Sequence, residues 1–477
     1  MLGLATLRKP EQSGVRCGIC NKALHMPRNC SGCGLPFCSK HIKPGRHGCR
    51  SRRSSLPRTR TIISISAAGV CIALTAFVLV PRLWPTSRGC SYPSTPGGYG
   101  KVVGALVVTM QTVQDQGYGT PVHNSVIHLY RYSQGSLAEL WSTTIPGWVS
   151  SVSFNDLNCD HVPEIVVMNK PAYGGDYTIG DDSLQVFENA SGQYQQAFVK
   201  YAKTNMARAK TLDRAGGGGS LLAILHGYPY LVDYETGKKP RLSKIPQEVG
   251  SGSGLDVGDV NEDVLPDIVE GLSLQLGGFY VLENKGRGRF RKVFIQMNNP
   301  AVVDLKVADV DGDGGNEIVI ASRAIGERNP PISLSVWKHS EEGYLCVWEH
   351  MGQTIRSVDV GDLNGDGRNV IVAGSEGTQG VSVWEYDATG KSYARIWAED
   401  ANSTVWAMYD ISLRVCPVDG SGLDRIVAVG TDMNRSEMYL YVGRGIRDEE
   451  EPEVFWLWSG GTSHCPTLDV WPILEEG

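Results

Sequence analysis

Seven short runs of β-branched and small residues recur along the chain: VVGALVV at 102, EIVVM at 164, LLAIL at 221, DIVEG at 267, EIVIA at 317, VIVAG at 370 and RIVAVG at 425, spaced 46 to 62 residues apart. Most are followed by two alternating strands around a Gly-containing turn, as in LQVFENASGQYQQAF, FYVLENKGRGRFRKVF, LSVWKHSEEGYLCVW and VSVWEYDATGKSYARIW. Such alternation reads as a hairpin. A further strand precedes most runs, as in SVSFNDLN, LDVGDVN, LKVADVD and SVDVGDLN. Four strands per unit at this period predict a mainly β chain whose residues 100–477 form a seven-bladed β-propeller. The first run lacks its preceding strand, whereas after the last hairpin the chain continues as Thr467-Leu468-Asp469-Val470-Trp471, alternating like SVDVGD at 357–362. This tail is expected to be the missing strand of the first blade, which removes exposed sheet edges. It would also bring Cys465 towards Cys90, a candidate disulfide.

Between the preceding strand and the run lies an acidic loop. The fullest is Asp309-Val310-Asp311-Gly312-Asp313-Gly314-Gly315-Asn316-Glu317; Asp259, Asn261, Asp263 and Asp267 stand at the same offsets, as do Asp156, Asn158, Asp160 and Glu164. Alternate oxygens turned onto one ion, small residues at the tight turn and a final carboxylate suit calcium. The bland alternative is a set of polar turns, since Asp, Asn and Gly are ordinary turn residues. The loop at Asp362, Asn364 and Asp366 has Val370 in place of the final carboxylate, and the blades around Ser220 and Arg425 have lost the pattern. These loops resemble FG-GAP repeats of the integrin-α propeller type, over residues 100–472. The resemblance implies calcium ions that brace loops within blades, away from the central ligand-binding surface and with no catalytic role.

The tryptophans at 337, 348, 384, 397, 406, 456, 458 and 471 mostly fall in hairpin strands, where packing between blades is the expected role and sugar stacking the rival. Gly216 to Gly219 followed by Ser220 lacks the Lys of a phosphate loop. The histidines beyond residue 100 show no metal-pair or nucleophile context.

The opposite end of the chain has another chemistry. Residues 1–61 hold 13 Lys or Arg against Glu11 alone, although the whole chain carries −6. From Thr61 to Pro81, between Arg60 and Arg82, no side chain is charged. That length of helix covers a bilayer's hydrocarbon, and a soluble helix would keep a polar face, so residues 61–81 are expected to be a transmembrane helix followed by a linker, 82–99. Arg50, Arg52, Arg53, Arg58 and Arg60 before the span, against Arg82 and Arg88 after it, keep the N-terminus cytosolic and put the propeller in the extracellular or lumenal space. There Asn189, Asn402 and Asn434, each opening an Asn-x-Ser/Thr triplet, are candidate glycan acceptors.

Within residues 1–55, Cys17 and Cys20, Cys30 and Cys33, Cys38 and His41, and His47 and Cys49 form four close pairs. In a reducing compartment such pairs make two closed tetrahedral zinc sites, which hold folded a segment too short for a core. The order and spacing resemble the AN-one type zinc-finger family. That resemblance implies Cys17, Cys20, Cys38 and His41 at one zinc, Cys30, Cys33, His47 and Cys49 at the other, and partners linked to ubiquitin and protein quality control. The expected function is a membrane-anchored binding or adhesion protein, with a protein or glycan ligand outside and a protein partner docked on the zinc head in the cytosol. The acidic body argues against nucleic acid. Alternatives from other classes are a propeller enzyme acting on polysaccharide or lipid and a lumenal folding factor.

Overall fold

The computed structural model describes residues 28–29, 36–37 and, from 102 to 474, all but a set of connecting segments, the longest being 171–181, 324–331, 399–407 and 444–452. The chain divides into two compact units, Met1–Trp84 and Pro85–Gly477. In the first, Arg28–Asn29 pairs antiparallel with Pro36–Phe37; the sequence joining them carries Cys30 and Cys33. The eight zinc-ligand positions and segment 61–81 lie outside the described residues, as do Cys90 and Cys465. Among the described residues no helix is long and apolar enough to cross a membrane.

The second unit is a seven-bladed propeller of four-stranded antiparallel sheets. Each apolar run is the second strand of its blade, and the tail closes the ring: Leu468–Leu474 pairs with Val102–Asp115, with Thr109 opposite Leu468 and Val102 opposite Leu474. Blade 1 therefore combines residues 102–146 with 468–474. Blades 2 to 7 follow as 148–202, 209–244, 255–297, 302–351, 355–398 and 408–459. The first strands of neighbouring blades lie beside one another around the whole ring.

The runs read as unbroken apolar stretches because both faces of the strand are covered. In Glu317–Ser322, Ile318 and Ile320 pack towards blade 4 while Val319 and Ala321 pack towards blade 6. Every blade interface holds one such cluster, seven in all, each drawing on two adjacent blades. The aromatic residues sit there as expected: Trp337 lies edge-on to Phe279 at 5.1 Å, and Trp384 to Trp348 at 5.3 Å. The indole N–H of Trp337 donates to Ser335 and that of Trp384 to Ser382, each at 3.1 Å, so the Ser-Val-Trp triplet satisfies its own buried donor. Trp456, by contrast, is exposed. Blades approach closely at Gly258 and Gly361, where a Cβ would come within 2.4 Å of Val307 and Val415.

The inner edges of the first strands would otherwise present unpaired N–H groups. An aspartate of the preceding blade accepts from them: Asp256 from Val307, Asp359 from Val415, Asp469 from Phe154, all at 2.8 to 2.9 Å, and Asp304 from Val358 at 3.2 Å. Two cations offset part of this belt's charge. Lys306 Nζ lies 2.9 Å from Asp359, and Arg414 Nε lies 2.8 Å from Asp469. Burial alone would push the Lys306 ammonium down, but Asp359 holds it above its ordinary value.

Candidate functional site

The acidic loops join first to second strands, so all emerge at the same end of the propeller. Each is built from the same ladder of Asx turns. In blade 5, Asp309 accepts from Gly312 and Gly314, Asp311 from Asp313, and Asp313 from Gly315. In blade 4, Asp259 accepts from Asp263 and Val264, Asn261 from Asp263, and Asp263 from Leu265. Blade 2 repeats the pattern with Asp156, Asn158 and Asp160. Blade 6 keeps it at Asp362, Asn364 and Asp366 although Val370 stands where the closing carboxylate would be. The ladder is therefore a property of the turn and forms without that last acid.

The turn requires left-handed backbone at two positions. Blades 5 and 6 supply Gly312, Gly314, Gly365 and Gly367 there, all with φ between 74° and 91°. Blade 4 places Glu262 and Val264 at φ 62° and 70° instead. A β-branched residue in that region is strained.

The closing carboxylates separate the loops further. Glu164 is buried; Oε2 accepts from the Leu157 N–H at 2.6 Å and Oε1 from Asn158 at 2.8 Å. Burial, followed by the charges of Asp160, Asp156 and Glu188, pushes it up to about 8 against the pull of the Leu157 N–H. Asp267 is wholly buried and accepts from the Asn284 N–H through Oδ1 at 2.7 Å; the Val260 N–H also pulls it down, but Oδ2 has no well-aligned donor and no cation, and burial pushes the group up to about 7. A buried carboxylate oxygen without a donor costs free energy unless it is protonated or meets a cation. By donor type the blade 4 residues Asp259, Asn261, Asp263 and Asp267 suit a hard divalent ion, although their carboxylate oxygens are not gathered within 4.8 Å of one another; blade 2 offers Asp156, Asn158, Asp160 and Glu164, with both Glu164 oxygens already hydrogen-bonded.

In blade 5 the oxygens of Asp309, Asp311 and Glu317 do lie within 4.8 Å of one another, the one such group among the described residues and the spacing of a metal cluster. Yet Lys338, from the third strand, places its ammonium 2.6 Å from Asp311, 2.6 Å from Asp313 and 2.9 Å from Glu317. Blade 7 has a cation at its loop too: Arg425, at the position of Glu317, holds Asp419 at 3.1 Å. The carboxylate motif gave no sign of either cation, because Lys338 is 21 residues beyond Glu317 in sequence and Arg425 reads simply as a lost acid.

Two contacts that the motif did not reveal tie neighbouring loops together. Asn316 donates to the Asp259 carbonyl and Asn369 to the Asp309 carbonyl, each at 2.8 Å. Asp424, at the same place in blade 7, reverses the polarity and accepts from the Asp362 N–H at 2.9 Å. The loops thus form a continuous braced rim from blade 4 to blade 7. Of the glycan acceptors, Asn189 is described, and it is exposed at a hairpin turn.

No protein-family model matches the chain, and no curated protein matches it. Among solved structures it is similar to a lectin of Agrocybe aegerita that recognises non-reducing terminal N-acetylglucosamine, with 14% identity over 78% of this chain and 96% of the lectin and a TM-score of 0.49. A Lactobacillus plantarum protein is 11% identical over 77% of this chain and 99% of its own, with a TM-score of 0.45. A rhamnogalacturonan lyase is 14% identical over 72% and 73%, with a TM-score of 0.38. Likenesses of this degree carry no statement about ligand or activity, and the chain is described by its own architecture, a seven-bladed β-propeller closed by its C-terminal strand.

Proposed function

We propose that this chain is a single-pass membrane protein whose propeller, outside the cytosol, recognises a protein or glycan, while the two-zinc head docks a cytosolic protein. In this reading calcium braces the loops of blades 2 and 4 and has no part in chemistry. The observation that carries the recognition role is the rigid rim at one end of the propeller. There the eight-residue loops of blades 4 to 7 are tied by Asx ladders, ion pairs and Asn clasps. Loops positioned by a rigid scaffold are where binding residues are ordinarily displayed. The basic flank of residues 61–81 supports the orientation, and eight paired Cys and His ligands support the zinc head.

The test uses the full chain in cell membranes. Glycosidase should shift its mobility, the shift should vanish when Asn189, Asn402 and Asn434 are all changed to Gln, and protease added outside should remove the propeller but spare the head. Proximity labelling from each end then identifies the partners. Digestion of the head with the propeller protected would overturn the orientation, and an outside label that marks no protein or glycan would overturn the recognition role.

A further inference from the structure

We propose that Lys338 is the resident cation of the blade 5 loop, so that the loop with the fullest acidic motif is the one that needs no metal. Its ammonium is shared by Asp311, Asp313 and Glu317 at 2.6, 2.6 and 2.9 Å. Calcium bound to the same oxygens would sit 2.3–2.6 Å from each. Two cations cannot occupy that space, and the metal enters only if the lysine swings out.

The register shows how this position is chosen. Ile318 lies opposite Trp337, Ile268 opposite Leu282, Ile165 opposite Phe187 and Ile371 opposite Trp384. The next residue along the third strand is Lys338 in blade 5, but Glu283, Glu188 and Glu385 in blades 4, 2 and 6. Two of those acids face their loops: Asn261 donates to Glu283 at 3.2 Å, and the charge of Glu188 acts on Glu164. Glu283 is itself paired outwards with Lys285 and Arg291, which leaves Asp267 without a cation of its own. One third-strand residue therefore decides whether a loop carries its counter-ion or needs one. Blade 7 uses the same device from another strand, with Arg425 on Asp419. The contrast with blades 2 and 4 rests on the calcium reading above; the Lys338 contacts do not.

The experiment is equilibrium dialysis of the detergent-solubilised full chain against calcium, with melting followed in parallel. Asp311→Asn with Asp313→Asn should leave the calcium stoichiometry of the parent unchanged. Lys338→Gln should bind one calcium more per chain than the parent, lose it again when Asp311→Asn is added, and melt at least 3 °C higher with calcium than in a calcium-selective chelator. Lys338→Arg, which keeps the charge, should gain none. If Lys338→Gln folds only in calcium, that dependence supports the proposal in the same way. A parent chain that loses one calcium on Asp311→Asn with Asp313→Asn overturns it, as does a Lys338→Gln variant that gains none. A parent that binds no calcium at all refutes the reading of blades 2 and 4, yet an ion gained by Lys338→Gln would still uphold the role of the lysine.

Discussion

Asp469 exposes the ring to a single substitution, because its carboxylate joins three blades. It belongs to the closing strand of blade 1, accepts from the Phe154 N–H of blade 2 at 2.8 Å, and pairs with Arg414 of blade 7 at 2.8 Å. Both side chains of the pair are about one-fifth exposed. Asp469→Ala leaves a largely buried guanidinium without its nearest carboxylate, a loss of ~3–5 kcal/mol where no other charge helps. Here Asp359 and Asp304 also act on Arg414, so about 2 kcal/mol is the expected share. The orphaned Phe154 N–H adds about 1 kcal/mol. At roughly 2 °C per kcal/mol for a domain this large, Tm should fall by about 6 °C. Asp469→Asn, which keeps an acceptor for Phe154 and loses the charge, should cost roughly two-thirds as much. All the tryptophans but Trp84 lie in the propeller, so intrinsic fluorescence follows its melting. A double-mutant cycle with Arg414→Met should return a coupling above ~1 kcal/mol. A Tm for Asp469→Ala within a degree of the parent, or additivity within ~0.5 kcal/mol in the cycle, would refute the belt as a stabilising element.

Three further outcomes follow from the loops and the closure. Glu164 and Asp267 are held by burial near 8 and 7, above their ordinary 4.5 and 3.8, so the metal-free fold binds protons that the unfolded chain has released. In chelator, stability should be full below about pH 4 and decline as pH rises to about 8, and calcium should reverse the decline at its upper end; urea midpoints across that range would show it, and a metal-free protein that gains stability over the same window would contradict the burial argument. Val264→Gly should raise stability by about 0.5–1 kcal/mol, since a highly exposed β-branched residue at φ 70° is exchanged for the one that adopts that backbone freely, and a loss of stability would mean that the strain is not there. Truncation after Gly461 removes the strand opposite residues 102–109 and the Thr467 carbonyl that accepts from Thr109 at 2.9 Å, so the shortened chain should fail to give a cooperative melt, whereas parental melting would show that the ring holds without its closure.

Much of this architecture was legible in the chain because blade strands covered on both faces must be written as continuous apolar runs, and hairpins exposed on one edge must alternate. The seven runs, their hairpins and the tail that supplies the first strand of blade 1 all follow from that requirement. So does the Asx ladder of the loops, since its donors and acceptors are separated by two to five residues and the information is local. Part of the belt was also written in the chain, though in a form that pattern reading passes over. One position of the inner strand carries Asp256, Lys306, Asp359, Arg414 and Asp469 in blades 4, 5, 6, 7 and 1, an alternation of charge whose meaning depends on those strands being neighbours in a ring.

What only the tertiary structure decided is which cation each acidic loop meets. Asp309, Asp311, Asp313 and Glu317 make the better motif, and Asp259, Asn261, Asp263 and Asp267 the poorer one. Strand pairing nevertheless lays Lys338 over the first loop and Glu283 over the second. A metal motif counts the ligands along a segment. Electrostatics counts every charge within a few ångströms, and in a sheet the nearest of them comes from another strand, some twenty residues away.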